Sequence, residues 1–193
     1  MEHLREFEME RLLAFSRAID ALTTAIGRAA AWLVLVVCIV AAGHAIAGKV
    51  WGAGAHSNAW TEIQWLMYSA VFLLAAPWTL LSNEHIRIDI LNQRLSKSTR
   101  DIIDIAGHVL FLIPVALIVL WTSIPFAMTS FAQAEGSSNF GGLPQWPLKS
   151  LIPLSFVLLL AQGVSELIKR VAIVRGKLSD PAAVRRSAIP HDI

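Results

Sequence analysis

The sequence predicts an all-α integral membrane protein: four transmembrane helices, an amphipathic interfacial helix ahead of them, and both termini in the cytoplasm. Three observations carry this. The 193 residues are 55% hydrophobic and 16% charged, against about 25% charged in an ordinary soluble domain. Four apolar stretches approach the roughly 20 helical residues that cross a bilayer core. Finally, 14 of the 16 lysines and arginines flank those stretches on one side, the cytoplasmic side under the positive-inside rule. Strands are not expected, because apolar and polar residues do not alternate within the stretches. The net charge of +2 is too small to point to nucleic acid, which is not expected as a partner. A single cysteine, Cys38, precludes an internal disulfide and a cysteine metal cluster.

Residues 1–28 form the first element, an amphipathic cytoplasmic segment. Leu12, Phe15, Ile19, Leu22 and Ile26 recur every three or four positions, and on a helical wheel Arg17, Asp20 and Arg28 face away from them. Such a helix can lie in the cytoplasmic interface or pack on a partner subunit. Ala45-Ile46-Ala47 resembles a signal-peptidase site. However, Glu2, Glu6, Glu8, Glu10 and Asp20 precede an apolar run that is long for a signal core, so an uncleaved span is expected.

The membrane domain is expected over residues 29–172, with spans at about 29–48, 61–81, 107–129 and 148–168, followed by a polar cytoplasmic tail at 173–193. The tryptophans suit that arrangement. Trp32 and Trp78 fall near inner ends, and Trp51, Trp60, Trp65 and Trp146 near outer ends, where indole places its ring in the apolar zone and its N–H in water. Pro77, Pro114, Pro125 and Pro153 can kink their helices.

The second span ends in LSNEHIRIDIL, residues 81–91, where Glu84, His85, Arg87 and Asp89 arrive together. These groups stand where solvated charge is expected, at the level of anionic headgroups. A structural elbow, with charges paired locally or across a subunit contact, is favoured over a metal site. The interleaved isoleucines suit either a helix lying in the interface or an extended strand.

Ionisable groups within spans are costly and each needs an explanation. His44 and His108 raise the possibility of haem held between helices. Their depths disagree: His44 lies about 22 Å into an outward-running span at 1.5 Å per residue, and His108 lies at the start of another. An interhelical hydrogen bond is the favoured role for His44, which sits among small residues. Glu62 and Gln64 stand at the outer mouth of span two, facing a partner or, by preference, facing water or starting the helix. Gln162, Glu166 and Arg170 are spaced four apart, so that Glu166 and Arg170 can pair along their helix. No carboxylate lies near a span midpoint, and no pair of broken helices marks an ion site. No cofactor and no catalytic residue is expected; the chain reads as an anchor or scaffold.

Two motifs then resemble a known family. NEHIRIDIL at 83–91 and GLPQWPLKSLIPLSFVLLLAQGVSELIK at 142–169 are similar to the small membrane subunit of tripartite ATP-independent periplasmic (TRAP) transporters, the DctQ-like family. The resemblance implies a sodium-driven importer of carboxylates in the bacterial inner membrane. A periplasmic binding protein delivers the substrate, a large elevator subunit carries it, and the small subunit supports the large one within the lipid and assists docking. On this resemblance Glu62, Gln145, Trp146 and Lys149 become candidate contacts with the binding protein or the large subunit, and Arg87 and Asp89 candidates for pairing with the large subunit. Two other readings stay open: a membrane anchor for a redox complex, and an autonomous small transporter.

Overall fold

Hydrocarbon offers no partner to a backbone N–H or C=O, so an apolar stretch that enters it must bond within itself. The chain does this with helices. A computed structural model describes residues 2–52, 58–82 and 97–176. They form α1 (Glu2–Trp51), α2 (Asn58–Leu81), α3 (Lys97–Gly107), a π-helical turn (His108–Leu112), α4 (Ile113–Ala132) and α5 (Trp146–Val174). There is no strand among the described residues. Among the described residues, four helical stretches are long and apolar enough to cross a membrane: Met9–Trp51, Asn58–Leu81, Ile102–Ala132 and Trp146–Val174. α3, the π turn and α4 run in series to make the third of these.

The helices pack as a bundle in which α1 meets α2 and α5, α2 meets α5, and α5 meets α4. One end carries the close of α1, the start of α2 and the α4–α5 connection, and is poor in lysine and arginine. The opposite, basic end carries the start of α1 and the close of α2 and α5.

The amphipathic segment does not form a separate helix. α1 runs without a break from Glu2 through the first span. Of the apolar arc, Leu12, Phe15 and Leu22 are exposed and Ile19 is buried, while Arg17 and Arg28 are exposed. Met9, Ser16, Thr23, Ala30 and Val37 are buried as a second set. These five positions recur every seven residues, the spacing of a supercoiled helix seam. Between them Gly27 lies under Trp78, where an added Cβ would come within 2.4 Å of the ring. α5 answers with Ser155 and Gln162, and with Ser165 and Ala172, each pair again seven apart and buried. The reason is the solvent. Lipid accepts leucine and phenylalanine as readily as a protein core does, so helices associate through small and hydrogen-bonding residues.

The prolines show how backbone groups are satisfied inside the bundle. Pro77 is buried in α2 and brings no N–H, which leaves the carbonyl of Leu73, four residues back, without its helical donor. The Ser155 hydroxyl of α5 donates to that carbonyl at 2.6 Å. The π turn closes with the Ile113 N–H donating to His108 O, directly ahead of Pro114, whose ring would clash with a carbonyl in a regular α-helical turn.

Candidate functional site

At the lysine-poor end the α4–α5 connection folds over the start of α2. Ala134 has φ 47° and Gly141 φ 71°, left-handed values that reverse the chain sharply. Gly142 then passes so close that an added Cβ would meet Ser137 and the Glu62 carboxylate. The whole connection is organised by that carboxylate. Glu62 Oε1 accepts hydrogen bonds from the Ser137 hydroxyl and from Asn139 Nδ2 at 2.9 Å, and Oε2 accepts from the Leu143 N–H at 2.6 Å. The Asn139 N–H donates in turn to Ser137 Oγ at 3.0 Å.

A second brace lies beside the first. Lys149 donates to Glu135 Oε2 at 2.5 Å, and its ammonium sits 4.4 Å from the centre of the Phe126 ring. The Gln145 N–H, at the cap of α5, donates to Glu135 O at 2.9 Å. Between the braces is a cleft of about 520 Å³ whose walls include Glu62, Trp65, Glu135, Asn139, Gln145 and Lys149. Trp146 does not line it; its indole packs edge-on against Phe131, with centroids 5.3 Å apart. The chain thus gathers Glu62, Gln145 and Lys149 into one place. Glu62 is half-exposed beside the cleft and turns its carboxylate to the returning loop. Arg87 and Asp89, with the rest of the elbow at 83–96, lie outside the described residues, as does the tail from residue 177.

A second polar cluster, at the basic end, was not expected. Asp20 of α1 turns into the bundle and accepts from Ser165 Oγ at 2.7 Å and Gln162 Nε2 at 3.0 Å. It pairs with Lys169 at 3.0 Å. Lys169 also pairs with Glu166, and Ser16 and Ser165 share a hydrogen bond of 2.7 Å. Gln162, 0% exposed, is among the most deeply buried side chains described. In place of the helical pair expected between Glu166 and Arg170, Glu166 takes Lys169 within the same helix, and Arg170 reaches across to Asp104 of α3 at 3.1 Å. Asp20 faces away from the apolar arc, as expected; Leu12, Phe15 and Leu22 of that arc are exposed, and Asp20 turns toward α5. The available signal was the seven-residue spacing of Ser16, Thr23 and Ala30.

The two histidines are used locally. Gln64 Nε2 donates to His44 Nδ1 at 3.0 Å, the interhelical bond expected of His44. Gln64, half-exposed at the start of α2, is thereby turned toward α1. His108 Nδ1 bonds to Asp104 O at 2.7 Å. One histidine meets the first turns of α2 and the other the level at which α5 closes, so they lie toward opposite ends of the bundle.

Taken together, these contacts tie helix to helix and loop to helix, and they define a multi-pass membrane protein built as a braced frame. The family described as tripartite ATP-independent periplasmic transporters, DctQ component, matches residues 54–172, and the chain belongs to that family. Comparison with curated proteins and with solved structures gave no match. The matched segment holds α2 to α5, Glu62 and its loop included, and begins just after α1.

Proposed function

We propose that this chain is the small, fixed membrane subunit of a sodium-driven TRAP importer of carboxylates, with both termini in the cytoplasm of a bacterial cell and the loop held by Glu62 on the periplasmic side. Its partners are a large transporting subunit in the membrane and a soluble periplasmic substrate-binding protein. The observation that carries this reading is the DctQ match across residues 54–172. The internal contacts support it. Asp20, Glu62 and Glu135 each meet donors from another helix or from the loop. A subunit whose charges hold its own helices in place suits a frame against which a neighbour moves. The proposed orientation is supported by the fourteen lysines and arginines that flank the spans on one side in the sequence. Arg87 and Asp89 are retained as candidates for pairing with the large subunit.

The test is reconstitution. Tagged protein should copurify with a larger multi-span membrane protein, and proteoliposomes holding both, with the binding protein added, should take up a carboxylate only under an inward sodium gradient. Uptake by this chain alone would overturn the reading, and so would sodium-independent uptake by the assembly.

A further inference from the structure

The loop that Glu62 organises ends in a fully presented aromatic ring. Phe140 is 99% exposed, and the backbone around it is held firmly. Asn58 Nδ2 of α2 donates to Phe140 O at 2.9 Å. Asn139 on one side is bonded to Glu62, and the Gly142 N–H on the other donates to Asn139 O at 3.1 Å. Other exposed aromatic residues, such as Phe72 and Trp121, lie inside spans, where lipid covers them. Phe140 is different. Its carbonyl is level with Asn58, five residues ahead of Ile63, where the apolar run of α2 begins. That sets it about 7–8 Å beyond the run at 1.5 Å per residue, outside the reach of acyl chains.

A ring left bare on a loose loop needs no explanation. A ring held out by a braced loop resembles the anchor of an interface, because the ordering cost that weakens binding has already been met within the free subunit. The neighbouring charges are satisfied: Glu62 has three donors and Glu135 has Lys149. An uncharged, rigid, apolar tip fits a pocket by shape and burial, with little electrostatic steering.

We propose that the loop at 133–145 is a preformed docking knob, and that Phe140 is the anchor it inserts into an apolar pocket on the soluble binding protein. This rests on the assembly and orientation proposed above. A flexible aromatic would serve to grip a lipid surface; bracing on both sides of the ring favours a partner of fixed shape.

The test uses this chain and its large subunit in a lipid nanodisc, with the soluble binding protein of the same system as the probe. Phe140→Ala should weaken binding by about tenfold or more, the loss of one buried aromatic anchor, mainly by faster dissociation and with little dependence on salt. Trp121→Ala, at a lipid-facing position, should bind as wild type. An unchanged melting temperature for Phe140→Ala confirms that the frame is intact. Wild-type binding with no loss in Phe140→Ala overturns this inference alone. Absence of binding by the wild type overturns it together with the docking reading above. A nitroxide at Phe140→Cys, in a Cys38→Ser background, should report water; lipid-like oxygen accessibility would assign the ring to the membrane and overturn the docking role.

Discussion

Lys149 stands in the first turn of α5, where the helix dipole disfavours a cation. Glu135 and the Phe126 ring offset that cost. The hydrogen bond from Lys149 is the leading reason that the Glu135 carboxyl lies below its ordinary value of 4.5. A carboxyl lowered in the folded state adds stability that is complete above its unfolded value and fades as pH falls through its folded one. Glu135→Gln should therefore melt below wild type at pH 7, and the two should converge as pH drops from about 4.5 toward 3. A gap that persists unchanged at pH 3 would show that the ion pair is not its cause. Lys149 was legible in the sequence as a group at the mouth of a span. Its partner was not, because Glu135 is fourteen residues away and the intervening path turns on the positive φ of Gly141. The same holds for Glu62. Its place was readable, but its donors Ser137, Asn139 and Leu143 come from a loop more than seventy residues further along.

At the scale of the helix, the spans were legible because crossing hydrocarbon demands a run of apolar residues that few other structures require. Which face of each helix turns inward was less legible, since in lipid an outward leucine and an inward leucine are nearly equivalent. The prolines illustrate the difference. Sequence indicates that Pro77 interrupts α2; only the fold supplies Ser155 for the carbonyl it frees. Ser155→Ala should leave Leu73 O unpaired away from water and cost about 1–2 kcal/mol, or about 2–8 °C in melting temperature. Pro77→Ala restores the N–H that Leu73 O lacks. In that background Ser155→Ala should cost much less, so a double-mutant cycle on the detergent-solubilised protein reads the coupling directly. Equal costs in the two backgrounds would mean that Ser155 acts through packing and not through the freed carbonyl.

At the scale of the whole molecule, the family match and the packed unit do not coincide. The match begins at residue 54, yet α1 supplies Asp20 to Ser165, Gln162 and Lys169, His44 to Gln64, and the small seam under Trp78. Without α1, the buried polar face of α5 would meet hydrocarbon, where unpaired polar groups are costly. Residues 53–193 made alone should therefore aggregate on size-exclusion chromatography or melt at least about 10 °C below the intact chain. Deleting a span also disturbs insertion, so the sharper experiment keeps both pieces. Residues 1–52 and 53–193, coexpressed as separate polypeptides, should associate in the membrane and copurify, because preformed spanning helices find one another through such contacts. Ser16→Leu with Asp20→Ala, carried on the short piece, should sharply reduce that recovery while leaving its own insertion intact. If the long piece is monodisperse and as stable as the whole without its partner, α1 is an appendage to the family's unit; if the pair assembles through the seam, α1 is part of the frame.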